Sequence, residues 1–316
     1  MAPRAASRRR LGALAAGVLA FLGACGSGGE DSSRALYELE RLAFVPPAAC
    51  TIDGYRPPYH DHSLDAAILV DLYEVTRGDW LRGEVVLPEE ALAAWDEQTD
   101  AQSVEWPATW MTRAEAREFA RGRGMRLLTA REWIHVALGR RVHAFPYGAS
   151  YQEAWANTLD LGLRRPVPVG TFESGRSRAY GAYDLAGNAA EWVDGWVPGY
   201  GDRDERTPGT GCALGGSYND RLRRTYGPSL AFFSVTLDPE HRAADVGLRC
   251  AADAREYLWA MAPRWGSGAD AERRVRRVAE DWVRSAGRDA VLAVVRELAD
   301  RDGAPEEIGW LLDGAR

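Results

Sequence analysis

The sequence has few residues of the kinds that build the commonest catalytic and metal centres. Its 316 residues include only four cysteines and five histidines. His60 and His62 are spaced to share a metal, but no third ligand is evident, and a solvated loop is the simpler interpretation. The sequence also lacks a glycine-rich phosphate loop and a Ser/His/Asp grouping of diagnostic spacing, which argues against nucleotide-binding enzymes and triad hydrolases.

A hydrophobic run long enough to span a bilayer is also missing near the N-terminus. The uncharged segment Leu11 to Ala24 follows four arginines and is too short to cross a membrane, which predicts a secretory signal peptide over residues 1–24. It ends at Leu22–Cys25, which resembles a bacterial lipobox and predicts a lipid anchor on Cys25. The alternative is an ordinary signal peptide that contains a cysteine. The polar stretch Gly26–Ser33 then predicts a flexible tether.

The charge balance is acidic. The net charge of the full chain is −7, and removing the signal segment, which carries four arginines and no acid, lowers it to −11. This balance argues against a nucleic-acid partner and against electrostatic binding to an anionic membrane face. Twelve tryptophans suit either a loop-rich fold held by aromatic side chains or a surface that binds sugars or peptides, and composition leaves both open.

Two capping boxes predict helices in the first half of the chain. Thr112 with Glu115 begins one that runs to about residue 121, and Thr129 with Glu132 begins one that runs to about residue 138. Glycines follow both segments. From about residue 146 to residue 250, glycine, proline and asparagine interrupt the sequence so often that it predicts short strands and long loops.

A charged C-terminal tail predicts a small helical hairpin or bundle. Val275, Trp282 and Val283 recur at helical spacing, a second helix is predicted over Asp289–Ala299, and Pro305 begins a third. One hypothesis is therefore that the tail is the functional region of the protein and docks to a partner through its Val275, Trp282 and Val283 face.

Nine short segments occur in one order and together resemble the formylglycine-generating-enzyme (sulfatase-modifying-factor) family. They are Val45–Pro47 with Cys50–Ile52, Tyr73–Thr76, Arg126–Trp133, Phe145–Gly148, Ala156–Asn157, Pro168–Gly170, Tyr180–Val193, Gly215–Tyr218 and Gly247–Asp253. The chain is thus divided into a signal peptide (1–24), a linker (25–42), the family-like domain (43–253) and a helical tail (254–316). The resemblance implies an α+β fold, a variant of the C-type lectin-like architecture, with small antiparallel sheets and many loops.

The resemblance also implies a structural calcium ion in the segment from Asp184 to Glu191. The ligands would be the carboxylates of Asp184 and Glu191 and the main-chain carbonyls of Gly187 and Ala189. Hard oxygen ligands of this kind are those that calcium prefers. The plainer alternative is that both acids are exposed turn residues.

The family's catalytic cysteines are missing. Enzymes of the family carry two cysteines shortly after the segment that Gly215–Tyr218 resembles, and those cysteines bind copper(I). An ungapped alignment from Ser217 places Asp220 and Thr225 at the two positions. Carboxylate and hydroxyl oxygens are poor ligands for copper(I), so neither a copper cofactor nor the family's oxidation chemistry is expected.

The same loop predicts an anion-binding surface instead. The residues proposed to contact a ligand are Ser217, Tyr218, Arg221, Arg223 and Arg224. Clustered arginines suit a carboxylate, a sulfate or an acidic sugar, whereas ion pairing with surrounding acids is the plainer interpretation. The sequence thus predicts a pseudoenzyme, anchored by lipid to the outer membrane on its periplasmic or surface side, that binds a protein, peptide or glycan partner of the cell envelope. The alternative is an enzyme with altered metal chemistry on the same fold.

Lipidation of Cys25 would leave Cys50, Cys212 and Cys250, so at most one disulfide can form within the chain. The resemblance implies a Cys50–Cys250 bond, because the first and last strands of lectin-like folds are neighbours. A Cys212–Cys250 bond is the competing pairing.

Overall fold

The computed structural model describes residues 27–48, 63–98, 104–140, 143–195, 211–222, 234–238 and 240–316. Most helices lie at the two ends of this part of the chain, and the middle consists of strands and loops. The α-helices are α1 (Ser27–Glu40), α2 (Arg77–Leu81), α3 (Glu89–Gln98), α4 (Arg113–Gly122), α5 (Ala130–Leu138), α6 (Ala254–Met261), α7 (Ala269–Ala286), α8 (Arg288–Ala299) and α9 (Glu306–Ala315). Short 3₁₀ turns occur at Glu153–Trp155, Glu173–Gly175 and Ala262–Arg264.

Eight described strands form two four-stranded sheets. They are β1 (Leu42–Val45), β2 (Ile68–Asp71), β3 (Arg126–Leu127), β4 (Ala190–Val193), β5 (Gly211–Leu214), β6 (Ser234–Leu237), β7 (Val246–Leu248) and β8 (Cys250–Asp253). The first sheet has the order β1-β2-β8-β3 and the second β6-β5-β4-β7. All described pairs are antiparallel except β4 with β7, which run parallel. The expected α+β class with small sheets is confirmed, and one parallel pair is added to it.

Both predicted capping boxes are present. The Thr112 hydroxyl accepts a hydrogen bond from the Glu115 amide at the start of α4, and Thr129 accepts one from Glu132 at the start of α5. A third capping box, Thr76 with Asp79, begins the short helix α2. Its threonine lies in a family-like segment, and its helix is too short to show a hydrophobic period.

The segment predicted to be a flexible tether is helical. Helix α1 begins at Ser27 and buries Ala35, Leu36 and Leu39 against the rest of the molecule. The Asp31 carboxylate also accepts a hydrogen bond from Arg264 at 2.8 Å, which links α1 to the turn after α6. The apolar residues at helical spacing after residue 33 extend the helix back through the polar stretch, because a helix that has begun lengthens more easily than a new one starts.

The C-terminal tail packs against its own chain. The Trp282 indole N–H donates to the Leu42 carbonyl at 2.8 Å, and its ring lies 5.8 Å from that of Phe44 on β1. Val275 is fully buried in the same core. The hypothesis that this face docks to a partner is therefore wrong, because β1 and α1 already cover it. Within the part of the chain that the structure describes, no helix is long and apolar enough to cross a membrane.

The strand order removes the basis of the predicted Cys50–Cys250 disulfide. Strand β2 lies between β1 and β8, so the first and last strands of this sheet are not neighbours. Cys250 is buried on β8, and Cys212 is buried on β5 of the other sheet, so the competing pair is not bonded to each other either. Cys50 and the predicted lipidation site Cys25 lie outside the described residues.

Candidate functional site

The segment Asp184–Glu191 is a tight, buried loop that leads into β4. Asp184 and Asn188 both have positive φ, at 57° and 60°, in the left-handed region that non-glycine residues rarely adopt. Gly187 has φ 86°, and a Cβ atom there would lie 2.2 Å from the Asn157 carbonyl oxygen. Such a conformation persists only where the surrounding contacts hold it.

Asn188 supplies most of those contacts. Its side-chain N–H donates to the Glu74 carboxylate at 2.6 Å, and its side-chain oxygen accepts from the Asn157 amide at 3.1 Å and from the Val167 main chain at 3.0 Å. The second Glu74 oxygen accepts from the Ala189 N–H at 2.8 Å. One buried carboxylate therefore fixes the loop at two adjacent residues.

A buried ion pair closes the other side of this loop. The Arg249 guanidinium lies 2.7 Å from the Glu191 carboxylate, and their side chains are 0% and 1% exposed. Arg249 also donates to the main-chain carbonyls of Asp71 and Tyr183, and Glu191 accepts from the Trp133 indole at 2.6 Å. Both ions thus have hydrogen bonds beyond their mutual pair, as a buried pair requires.

The buried cluster has more carboxyl groups than cations. Glu74, Asp184 and Glu191 are all buried, and Arg249 is the cation that faces them. Burial raises the pKa of Asp184 to about 6, with Glu191 adding to the rise, while the Gly170 N–H and Arg249 oppose it. Burial, followed by Asp184 and Glu191, also raises the pKa of Glu74 well above its ordinary value. A further positive charge at this cluster would be stabilising.

The proposed calcium ligands fit this arrangement in charge and in chemistry. Asp184 and the carbonyls of Gly187 and Ala189 lie in the loop, and Glu191 lies on β4 directly after it, which gives an all-oxygen set. Both Glu191 oxygens already accept two contacts each, from Arg249 and Trp133, so a calcium ion bound through Glu191 would have to replace one of them. Among the described residues, no group of three or more His, Cys, Asp or Glu side chains is arranged to hold a metal. Two of the four proposed ligands are main-chain atoms, so calcium stays a prediction here.

The turn after β5 contains the position of the first missing cysteine. The Asp220 carboxylate accepts hydrogen bonds from the main-chain N–H and the hydroxyl of Ser217, both at 2.9 Å. The Ser217 hydroxyl also lies 3.0 Å from Asp245, and Asn219 donates to the same carboxylate at 3.1 Å. Burial raises the pKa of Asp220; its bonds to Ser217 oppose this shift, and Asp245 adds to it. Asp220 thus stabilises the turn from within.

The five residues proposed to contact a ligand differ in exposure. Ser217 and Tyr218 are buried, and Arg221 is exposed, 3.8 Å from Asp160. Arg223 and Arg224 lie outside the described residues, as does Thr225 at the second missing cysteine. The Tyr218 N–H donates to the Asn188 carbonyl at 3.1 Å, so this turn contacts the loop described above. The anion-binding surface stays a prediction that rests on Arg221 within the described chain.

The two described cysteines lie apart in the fold. Cys212 lies on β5 and Cys250 on β8, in different sheets and in different clusters of the core. Burial, together with the neighbouring Asp71 carboxylate, raises the pKa of Cys250 well above its ordinary value. A thiol held in this state is a poor metal ligand and a poor nucleophile.

Comparison with known proteins identifies the family. The model of the sulfatase-modifying factor enzyme 1-like domain matches residues 31–254. The chain belongs to this family. It is 30% identical to the formylglycine-generating enzyme of Bos taurus over 151 residues, which cover 41% of this chain and 39% of the relative. It is also 30% identical to that of Streptomyces coelicolor over 172 residues, or 47% and 53%. The matches therefore span about half of these relatives or less.

A solved structure supports the fold. Treponema denticola variable protein 1 is similar with a TM-score of 0.50 and 16% identity, and the match covers 67% of this chain and 94% of that one. At this identity the likeness concerns the fold alone. The family match begins at residue 31, within α1, so that helix belongs at least in part to the family domain and not to a linker.

Sequence reasoning missed two residues at the centre of this sulfatase-modifying-factor-like domain. Glu74 and Arg249 both lay within family-like segments, but neither was assigned a role. A signal was available for each, because Glu74 precedes a valine in a short apolar stretch and Arg249 stands between a leucine and a cysteine in another. A charged residue that becomes buried within an apolar segment needs a partner, and here each has one far away in sequence.

Proposed function

We propose that this protein is a non-catalytic, membrane-anchored member of the sulfatase-modifying-factor family that binds a peptide, glycan or protein partner of the cell envelope. The observation that carries the proposal is the Ser217–Asp220 turn. Where relatives present a reactive thiol, this chain has a carboxylate whose hydrogen bonds hold the turn together. A hard oxygen ligand engaged in this way does not bind copper(I) as a thiolate pair does.

The remaining thiols support the same conclusion. Copper(I) chemistry on a peptide cysteine needs thiolates that a substrate can reach. Cys212 and Cys250 are 1% and 0% exposed and lie on separate sheets. The loss of the reactive pair is therefore not balanced by another pair among the described residues.

The proposed binding role uses the surface beside that turn. Arg221 is exposed there, and Arg223 and Arg224 follow it in sequence. Guanidinium groups pair with carboxylates and sulfates through two parallel hydrogen bonds, which favours an acidic partner. Calcium bound by Asp184, Glu191 and the Gly187 and Ala189 carbonyls would supply positive charge that holds the neighbouring loop in place.

An assay for formylglycine tests the non-catalytic assignment. Supplied with copper(I), dioxygen and a sulfatase peptide that contains the target cysteine, the protein should convert none of it to aldehyde. The Streptomyces coelicolor enzyme serves as the positive control in the same buffer. The double variant Asp220→Cys/Thr225→Cys asks whether only the ligands are missing, and we expect weak copper binding with little turnover. Aldehyde formed by the unmodified protein above a no-enzyme blank would refute the assignment.

Membrane fractionation tests the anchor. With a lipid on Cys25, the wild-type protein should sediment with membranes, and Cys25→Ser should leave it unprocessed or soluble because acyl chains provide the attachment. Cys50→Ser is the matched control and should behave like wild type. Tight membrane association of Cys25→Ser would contradict the lipoprotein assignment while leaving the assay above unaffected.

A further inference from the structure

A cleft lies between the domain and the C-terminal tail, and no residue of the Ser217–Asp220 turn lines it. Its volume is about 770 Å³, which is within the range of small-molecule sites. One wall is the loop from Glu173 to Gly181, and the other is the last turn of α7, with Asp281, Arg284 and Ser285. The tail lies beyond the 31–254 family match, so this cleft combines a family loop with a segment that the family domain does not include.

The charged residues of the cleft leave one positive charge in excess. Its walls carry Arg176, Arg178 and Arg284 against two acids, Glu173 and Asp281. Both acids are already engaged, since Arg176 lies 3.1 Å from Glu173 and Arg284 pairs with Asp281. Arg178 is exposed and makes no ion pair within the described part of the chain. An uncommitted guanidinium in a concave site of an acidic protein favours an anionic ligand.

Aromatic residues form the floor. The Trp155 ring is half-buried and meets the Tyr147 ring edge-to-face, with centroids 5.6 Å apart. Tyr147 in turn stacks on Phe145 at 5.4 Å, which holds the floor in one orientation. A tryptophan that is partly exposed beside arginines offers an apolar face with polar groups around it, the combination that a sugar ring with polar edges needs.

The cleft is also held in shape without a ligand. The Ser177 hydroxyl donates to the Val136 carbonyl at 2.9 Å, and the Arg178 N–H donates to the Pro146 carbonyl at 3.0 Å, so the loop is fixed to α5 and to the floor. At Gly175 a Cβ atom would lie only 1.9 Å from the Trp155 carbonyl oxygen, so glycine allows the loop to pack against the floor. A preformed site avoids the cost of ordering a loop on binding.

We propose that this cleft binds an acidic sugar, whose anionic group pairs with Arg178 and whose ring packs on Trp155, while Arg284 keeps its pair with Asp281. None of the lining residues belongs to a strand, so the site has no sheet edge on which an extended peptide could add a strand. The inference goes beyond the proposed function, because it holds whether or not the Ser217 turn binds a ligand.

Calorimetric titration of the full chain tests the proposal with four probes: glucuronate, glucose 6-phosphate, glucose and inorganic phosphate. Both acidic sugars should bind. Glucose and phosphate should each bind at least about tenfold more weakly, because each lacks one of the two contacts. If neither acidic sugar binds, the proposal is wrong. If phosphate alone binds as tightly as glucose 6-phosphate, the cleft is a simple anion site and the assignment to a sugar is overturned.

Variants locate the binding. Arg178→Ala should weaken acidic-sugar binding about tenfold, and Arg284→Ala in α7 should weaken it less, because Arg284 already pairs with Asp281. Trp155→Ala should weaken binding where Trp155→Phe retains most of it. Arg277→Ala is the matched control, since Arg277 is an exposed arginine of the same helix outside the lining, and it should bind like wild type. Arg178 is exposed, so Arg178→Ala should keep the wild-type melting temperature. A second variant, Arg178→Lys, keeps the positive charge but lacks the planar guanidinium group. Unchanged affinity of Arg178→Ala would overturn the assignment.

Discussion

The Asp184–Glu191 segment and the Ser217–Asp220 turn contact each other, but they differ in burial and in the contacts that hold their charged groups. The first is buried, and its charges are held by Glu74, Asn188 and Arg249 in a closed set of hydrogen bonds. The second is partly exposed, and its Asp220 stands at the position that the sequence alignment gives to the first cysteine of the family. The comparison indicates that buried contacts between distant residues hold the first segment, whereas the second is held by contacts within the turn and with Asp245, and the proposed loss of catalytic chemistry concerns the second alone.

The largest expected effect is the loss of the buried cation. Arg249→Met should lower the free energy of unfolding by about 3–5 kcal/mol, because it leaves the Glu191 carboxylate buried without its ion pair. Urea denaturation measures the change. Arg117→Met is the matched control: its pair with Asp194 is largely exposed, and we expect a loss of less than about 1 kcal/mol. Equal effects of the two substitutions would show that the buried pair contributes no more to the free energy of unfolding than the more exposed pair.

Calcium should produce the next largest effect. A ligand at about one hundred times its dissociation constant stabilises the folded state by about 2.7 kcal/mol, so chelation should lower the melting temperature of wild type. Asp184→Ala should lower stability and abolish this dependence, and Glu191→Ala should do the same. Asp220→Ala, at the neighbouring turn, should keep the calcium response. An unchanged melting temperature of wild type in chelator would show that the loop holds no calcium.

The smallest effect concerns the turn. Asp220→Ala removes two hydrogen bonds to Ser217 and should cost about 1 kcal/mol, with unfolding by urea as the measurement. Asp220→Asn retains an acceptor oxygen and should recover part of the loss. If neither substitution changes stability, the Asp220 carboxylate does not stabilise the turn, and that part of the comparison is wrong.

The sequence by itself determined the features that depend on neighbours along the chain. Thr112 with Glu115 and Thr129 with Glu132 are capping boxes over three residues, so both helices could be predicted with their starts. The family also followed from the sequence, because ordered short segments do not require knowledge of their contacts. The predicted calcium residues fall in one loop for the same reason: they are close in sequence.

Only the tertiary structure decided what depends on contacts across the chain. Glu74 bonds to Asn188 over 114 residues, and Arg249 reaches the Asp71 carbonyl over 178, so no local pattern could assign their roles. The strand order likewise separated β1 from β8 and removed the basis of the predicted disulfide. The tail's apolar face became part of the core because β1 and α1 were there to cover it. A hydrophobic face shows that it will be buried, whereas the surface that buries it is chosen by packing among all the elements.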